Sequence, residues 1–247
     1  MDYIRRKRTK YFKRNDTMKE FKIRCSAISK IMGEPRSKAD KEAGLLSQTA
    51  KTYCEDWFKE QVYGRKREFT SKYTQKGNEV EDNSLDFVAE QLGYGMLIKN
   101  EEFFENDFMT GTPDIIVPDL IDVKNSWDCF TFPLFETKIP NMDYYWQGQG
   151  YMHLTERAEF KLIYVLSDTP LHLIRKEAYW YAKNNGYEES DEDILNEFRA
   201  KMKYPDIPNN LKIKSFDIKR IDNDIKLIKQ QVIKCRTYIE TLKTKIN

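Results

Sequence analysis

The sequence predicts an α/β (α+β) fold with a central mixed β-sheet flanked by helices and a long C-terminal helix. Predicted helices come first, a block of strands follows, and helix, strand and helix then complete the chain. No internal repeat or Gly/Ser/Pro-rich linker divides the 247 residues, of which 40% are hydrophobic, enough for one sizeable core. The longest apolar stretch, Leu162 to Leu166, is far shorter than the ~20 residues of a membrane-spanning helix. Neither a transmembrane helix nor a signal peptide is therefore expected.

The N-terminal third predicts three helices. In residues 19–32, apolar side chains fall four residues apart, the spacing of one helical face. Residues 48–63 form a second, aromatic-rich helical stretch. Residues 76–92 carry Leu85, Val88 and Leu92 at helical spacing and are followed by glycines, which end helices.

The middle of the chain predicts most of the sheet. The continuous β-favouring run at 161–166 is typical of a central strand covered on both faces. The other predicted elements are strands at 103–109, 112–117 and 120–124, a helix at 144–154, an irregular excursion within 170–203 that includes a helix from Asp191, and an edge strand at 212–218.

The C-terminal tail has the most regular pattern in the sequence. Apolar residues recur at alternating steps of four and three from Ile221 to Ile246, a heptad stripe of more than three heptads. This helix either covers the surface of its own domain or contacts a neighbouring subunit. The predicted divisions are a basic N-terminal tail (1–18), one folded domain (19–210), and the edge strand with the C-terminal helix (211–247).

Charge is strongly segregated along the chain. Residues 1–14 and residues 211–247 each carry a balance of +6, which leaves −10 for residues 15–210 in a chain of net charge +2. Basic ends around an acidic centre suit a protein whose two ends bind a polyanion and whose centre carries metal-binding carboxylates. The alternative is a disordered basic tail and a solvated Lys-rich helix.

Histidine and cysteine are too scarce for several kinds of site. Only His153 and His172 are present, and the four cysteines form no Cys-x-x-Cys, so zinc and iron–sulfur sites are not indicated. Four scattered cysteines also form no disulfide framework, which fits a reducing cytoplasm.

Four short polar segments carry the candidate chemistry. They are Lys76–Glu81 on a predicted helix, Gly111–Asp114 entering a strand, Asp122–Lys124 on the next strand, and Gln147–Tyr151 on a helix. Asp122 and Lys124 lie two residues apart on a strand, so both side chains emerge on one face. A partly buried carboxylate on such a strand needs a partner or a metal ion.

The register of the hairpin decides whether Asp114 and Asp122 can meet. A two-residue loop pairs Val117 with Leu120 and puts the two carboxylates on opposite faces. A three-residue loop pairs Ile116 with Leu120 and sets Asp114 directly opposite Asp122. A shared ion therefore requires an odd loop or a bulge.

Two carboxylates placed in this way repel each other unless a cation lies between them, and all-oxygen ligation indicates Mg²⁺ or Mn²⁺. Such an ion polarises a phosphodiester and lowers the pKa of bound water. Lys124 could orient that water or neutralise charge growing on phosphorus. Glu81 could complete the ion's shell, and Gln147 and Tyr151, one helical turn apart, could contact Lys124, the water or a substrate phosphate.

Taken in order, these residues resemble the PD-(D/E)xK nuclease superfamily, in its phage lambda exonuclease/YqaJ-like (RecB-like) branch. The resemblance covers residues 21–166 and rests on the motifs Gly77-x-x-x-Glu81, Pro113-Asp114, Asp122-x-Lys124 and Gln147-x-x-x-Tyr151. It implies a restriction-endonuclease-like core and makes 19–210 a nuclease domain, with Asp122 standing where many relatives have Glu. The implied catalytic residues are Glu81, Asp114, Asp122, Lys124, Gln147 and Tyr151, and the implied metal ligands are Asp114, Asp122, Val123 and Glu81.

The same resemblance extends upstream to a phosphate site. Arg24 and Ser26 are similar to an arginine and a small hydroxyl residue that hold the DNA 5′-phosphate in the lambda-type enzymes. Ser26 has an alternative interpretation as a helix cap or a surface residue.

The function that the resemblance implies is a Mg²⁺- or Mn²⁺-dependent deoxyribonuclease. We expect a phage-type exonuclease that degrades double-stranded DNA from its ends, 5′-to-3′, in recombination and DNA repair. The implied setting is the cytoplasm of a bacterial host, encoded by phage or prophage, with no membrane partner. Double-stranded DNA ends, a single-strand annealing protein and further copies of the chain in a homo-oligomer are the implied partners.

Two other functions stay open from the sequence. The same core serves endonucleases, and fold alone does not settle function. A non-catalytic DNA-end-binding module is the third hypothesis, which the intact Asp114, Asp122 and Lys124 argue against.

Overall fold

The computed structural model describes residues 18–67 and 70–246. The basic tail predicted for 1–18 thus lies, apart from Met18, outside the described residues. Among the helices of the described ranges, none is long and apolar enough to cross a membrane.

Eight helices and six strands make up the described part of the chain. The helices are α1 (Ile28–Met32), α2 (Lys38–Glu42), α3 (Gln48–Tyr63), α4 (Lys72–Leu92), α5 (Met142–Leu154), α6 (Leu171–Asn185), α7 (Glu192–Met202) and α8 (Asp222–Ile246). The strands are β1 (Ile23–Arg24), β2 (Phe104–Glu105), β3 (Met109–Gly111), β4 (Ile121–Asn125), β5 (Glu159–Val165) and β6 (Ile213–Lys219). The predicted α/β class with a long C-terminal helix is confirmed.

The strands form two small mixed sheets. One has the order β1-β3-β2, and the other has the order β4-β5-β6, with β4 parallel and β6 antiparallel to the central β5. The prediction of a central strand at 161–166 and an edge strand at 212–218 is therefore confirmed. Four consecutive residues of β5, from Leu162 to Val165, are buried, as expected for a strand covered on both faces.

The predicted helix at 19–32 is wrong in its first half. Phe21, Ile23 and Cys25 are buried while the residues between them are more exposed, a period of two that fits a strand. Ile23–Arg24 accordingly pairs with β3, a short 3-10 turn follows at Cys25–Ala27, and only then does α1 begin.

The predicted strands at 103–109 and 112–117 are much shorter in the structure. Asn106 interrupts the first one, because its Oδ1 accepts hydrogen bonds from the backbone N–H groups of Phe108 and Met109 and closes a tight turn. Residues 112–117 contribute only an isolated bridge between Ile115 and Ile121.

Helix α6 was missed in a region predicted as irregular. Its buried residues Leu173, Ile174, Ala178 and Ala182 have helical spacing. Two of these four residues are alanines, and exposed aromatic residues lie between them. The hydrophobic periodicity of the segment was therefore weak.

The C-terminal helix α8 packs on its own chain. Its buried residues are Ile225, Ile228, Val232, Cys235 and Ile239. This stripe lies against α3 and α1 in the main hydrophobic core.

Candidate active site

Asp114 and Asp122 face each other across the two chain segments that meet at the isolated bridge. Ile115 and Ile121 exchange both backbone hydrogen bonds, at 3.2 and 3.0 Å, so the same register places Asp114 opposite Asp122. This is the register of the three-residue loop. The position next to a hydrogen-bonded pair is a non-hydrogen-bonded one, where side chains approach each other most closely.

The two carboxyl groups have very different partners. Asp122 is 1% exposed, and its Oδ1 accepts a hydrogen bond from Gln147 Nε2 at 3.3 Å. Its Oδ2 forms an ion pair with Lys124 Nζ at 2.5 Å and has no other polar partner among the described residues. Burial first, and the negative charge of Asp122 second, raise the pKa of Asp114 to about 8.

Lys124 lies between the carboxylates and an aromatic ring. Its Nζ is 5.0 Å from the ring centre of Tyr144, a cation–π distance. Burial alone would lower the pKa of Lys124, but the carboxylates of Asp122 and Asp114 outweigh it and raise this pKa above its usual value. Lys124 is therefore a charged ammonium group at neutral pH.

Val123 can bind a metal ion only through its backbone carbonyl. Lys161 N–H donates to Leu120 and Ser126 N–H donates to Val165 at the two ends of β4. In a parallel pair such bonds involve alternate residues, so the carbonyl of Val123 points away from β5. The register of the Ile115–Ile121 bridge places Pro113 opposite Val123, and proline has no N–H to donate. This leaves the Val123 carbonyl oxygen on the side of the paired aspartates.

Helix α5 supplies Gln147 and Tyr151. Gln147 Nε2 also donates to Tyr151 Oη at 3.0 Å, and Tyr151 Oη donates to the carbonyl of Thr112 at 3.2 Å. The two side chains thus connect Asp122 on β4 to the backbone just before Asp114. The sequence allowed contacts with Lys124, water or phosphate; among the described residues, Gln147 contacts Asp122, and Tyr151 contacts Gln147 and the Thr112 backbone.

Two glycines let α5 approach the strands closely enough for these contacts. A Cβ atom at Gly148 would overlap the ring of Phe160 on β5, and one at Gly150 would lie 2.5 Å from Ile28 Cδ1. Gly111 is similarly crowded by Tyr151 and Cys25. The segment Gln147–Tyr151 was predicted to carry functional polar side chains, but the packing role of its two glycines was not predicted.

Glu81 is not gathered with the two aspartates. Its Oε2 forms an ion pair with Lys99 Nζ at 2.6 Å. Within the described ranges, no three His, Cys, Asp or Glu side chains form a metal-ligand cluster. The sequence did not single out Lys99, which lies between α4 and β2.

Arg24 and Ser26 are both exposed, on either side of the buried Cys25. Cys25 packs on Gly111 and Gly150, which places its two neighbours where β3 meets α5. The predicted phosphate residues therefore lie at a solvent-facing edge of the same assembly.

A buried lysine was also missed. Lys76 on α4 is 1% exposed, and its Nζ donates to the carbonyls of Ser126 and Trp127 at 2.8 and 2.9 Å. It thereby anchors the chain directly after β4, and burial lowers its pKa to about 8. A single lysine in a charged helix carries no sequence signal for burial.

The donors present fit a divalent cation. Asp122 Oδ2 is a buried carboxylate oxygen whose one described partner is the Lys124 ammonium, Asp114 lies opposite Asp122, and the Val123 carbonyl oxygen points toward the segment that carries Asp114. Carboxylate and carbonyl oxygens are the ligands of Mg²⁺ and Mn²⁺.

Comparison with solved structures identifies relatives of this fold. A phage-related exonuclease from Haemophilus somnus 129PT is 34% identical, with a TM-score of 0.75 over 93% of this chain and 98% of that one. The alkaline exonuclease LHK-Exo from Laribacter hongkongensis, in two solved structures of which one is a complex with dAMP, has a TM-score of 0.59 at 17% identity over 91% of this chain and 93% of that one. No protein-family model and no curated protein matches the chain.

The fold is thus one found in exonucleases. The paired carboxylates and the adjacent lysine of this chain are compatible with that class of enzyme. The chain belongs to the phage-related exonucleases, in the lambda-exonuclease-like part of the PD-(D/E)xK superfamily. This confirms the resemblance inferred from the four motifs.

Proposed function

We propose that this protein is a divalent-metal-dependent deoxyribonuclease that digests double-stranded DNA from its ends, 5′-to-3′, in phage recombination. The observation that carries the proposal is the facing pair Asp114 and Asp122 beside the charged Lys124. Phage-related exonucleases as relatives support the same reaction class. The dAMP bound in LHK-Exo supports a nucleic-acid substrate.

Asp114, Asp122 and the Val123 carbonyl would hold Mg²⁺ or Mn²⁺. When bound, such an ion supplies Lewis-acid polarisation of the phosphodiester and a more acidic water. Glu81 would join the shell only after leaving Lys99.

The protein's own side chains have distinct proposed roles. Lys124 Nζ would donate a hydrogen bond to the attacking water or to a phosphate oxygen, where negative charge grows in the transition state. Gln147 would keep the Asp122 carboxylate in place through Oδ1, and Tyr151 would fix Gln147 against the Thr112 backbone. Gln147 and Tyr151 are therefore positioning residues.

One experiment tests the reaction class. Linear duplex DNA labelled at its ends and closed circular DNA are incubated with the protein, with Mg²⁺ and with EDTA. We expect stepwise loss of the linear duplex with Mg²⁺ only, and an intact circle. Cleavage of the circle would make the protein an endonuclease, and no cleavage of either would leave a DNA-end-binding module.

Two substitutions test the residues. Asp114→Asn and Lys124→Ala are each expected to lower cleavage by about a hundredfold or more, because each removes charge at the reacting phosphate. Circular dichroism checks that both variants are folded. Parental activity in either folded variant would remove that residue from the reaction.

Arg24 gives a prediction about end recognition. A guanidinium group binds phosphate oxygens in a bidentate manner, so the parent should digest 5′-phosphorylated ends faster than 5′-hydroxyl ends. Arg24→Ala should reduce that preference by about tenfold, the effect of one charge-assisted contact of ~1.4 kcal/mol. Initial rates on the two substrates measure it. An unchanged ratio would place the phosphate contact elsewhere.

A further inference from the structure

Lys99 lies in an irregular segment that is tied to the backbone of the aspartate pair. Its neighbour Asn100 donates its backbone N–H to the carbonyl of Asp114 at 2.7 Å and its side-chain amide to the carbonyl of Pro113 at 3.0 Å. The Asn100 side chain is also bonded to the backbone of Glu102 in both directions, at 3.0 and 3.1 Å. These bonds fix the backbone of this segment beside Asp114, and the ion pair with Glu81 holds the Lys99 ammonium group.

The ammonium group of Lys99 is surrounded by acidic side chains. It contacts Glu81 at 2.6 Å, and its hydrogen bond to Glu81, more than the nearby charges of Asp114 and Asp82, raises its pKa above the usual value. Lys99 is thus a fixed positive charge at neutral pH. A divalent cation at Asp114 and Asp122 would be repelled by this charge, and the Glu81 carboxylate would already be paired with Lys99.

We propose that Lys99 is a positioning residue that competes with the divalent cation: it holds Glu81 while the metal is absent and gives up that carboxylate when the metal binds. This inference rests on the proposed metal-dependent function. Lys124 then pairs with Asp122 and Lys99 pairs with Glu81, whereas no cationic group of residues 18–67 and 70–246 lies at ion-pair distance from Asp114. Displacement of Lys99 would leave the Glu81 carboxylate free to hold a divalent cation beside the two aspartates.

The competition predicts a gain of metal affinity when Lys99 is neutralised. Lys99→Met removes a like charge and frees Glu81, so it should lower the Mn²⁺ or Mg²⁺ concentration of half-saturation by about three- to tenfold, as expected for one partly exposed charge contact. Lys99→Arg keeps the charge and should stay within about twofold of the parent. The matched control is Lys201→Met on α7, since Lys201 forms a similarly exposed pair with Glu197.

The measurement is thermal unfolding of the full chain against Mn²⁺ and Mg²⁺ concentration after removal of metal with EDTA, because a ligand that binds the folded state raises its melting temperature. Asp114→Asn should abolish the metal-induced rise. In a Glu81→Gln background, Lys99→Met should produce less than half of its gain, because no carboxylate is then released.

The outcomes separate this inference from the proposed function. A parent whose melting temperature does not respond to either metal would overturn both. A second outcome is that Asp114→Asn abolishes the metal-induced rise in melting temperature while Lys99→Met and Lys201→Met have the same metal concentration of half-saturation. That result would retain the metal site and overturn the role of Lys99. A full gain in the Glu81→Gln background would show that Lys99 acts only as a distant charge and would overturn its hold on Glu81.

Discussion

The facing aspartates Asp114 and Asp122 must be ionised to bind a metal ion, but their ionisation lowers the stability of the metal-free fold. A metal ligand has to be ionised, whereas burial and the neighbouring Asp122 favour the protonated form of Asp114 and raise its pKa to about 8. The unfolded chain has no such repulsion. Without metal, keeping this carboxylate therefore costs folding free energy at neutral and alkaline pH.

Asp114→Asn should raise the melting temperature in EDTA by about 2–4 °C for each kcal/mol of repulsion relieved. The sign follows from the raised pKa, since stability is lost as the pH rises above the unfolded value of 3.8 toward 8. The gain should therefore shrink below pH 4. A lower melting temperature in EDTA would show that the carboxylate stabilises the metal-free fold.

Lys76 gives the opposite pH dependence. Its pKa falls from 10.5 to about 8 on folding, so between these pH values the unfolded chain binds more protons and the free energy of unfolding rises with pH. Over this window the parent should gain up to about 3 kcal/mol relative to Lys76→Met. Urea unfolding of both proteins at pH 7.5 and pH 10 measures the difference. A constant difference would mean that Lys76 stays charged in the fold.

At the scale of elements, the docking of α5 determines the geometry of the site. Gly148 and Gly150 bring the helix against Phe160 and Ile28, close enough for Gln147 to reach Asp122. The helix itself has no strong amphipathic pattern, because one glycine-containing stretch is buried on several sides.

Gly148→Ala should destabilise the protein by about 1–3 kcal/mol through overpacking against Phe160. It should also reduce nuclease activity by moving Gln147. Gly77→Ala on α4 is the matched control, because nothing lies within 4 Å of its added methyl group and alanine favours helices by up to about 1 kcal/mol. Chemical unfolding and DNA digestion test both. Equal effects of the two substitutions would contradict the packing argument.

The elements also show how far the sequence can be interpreted. Helices α3 and α4 and strand β6 follow from periodicity, β5 follows from a continuous β-favouring run, and the order of the acidic motifs indicated the family. The register that places Asp114 opposite Asp122 stayed open, because it requires a three-residue loop and the sequence is also compatible with a two-residue one. The pairing of Glu81 with Lys99 and the burial of Lys76 depend on contacts between distant segments, which periodicity does not contain.

At the scale of the whole molecule, distant parts of the chain meet around one core. Helix α8 packs on α3 and α1, and Arg236 on α8 donates to the backbone carbonyl of Phe21 at 3.0 Å. These contacts join the N-terminal segment to the last helix, and we expect the two to unfold together.

Ile228→Ala should therefore destabilise the whole domain by about 2–5 kcal/mol, because Ile228 is fully buried between α8 and the core. Ile233→Ala on the same helix is the control, since Ile233 is 51% exposed and should change stability by less than about 1 kcal/mol. Urea unfolding, followed by helical and by aromatic signals, should give coincident transitions. Separate transitions would show that α8 unfolds independently.

Gln149, buried on α5, links the Lys219 carbonyl and the Ile221 N–H, at 2.8 and 2.9 Å. These two partners are synthesised more than a hundred residues after Asp114. A polypeptide that stops before Lys219 therefore lacks both of these partners of α5, and we expect Gln147 on that helix to reach Asp122 less reliably.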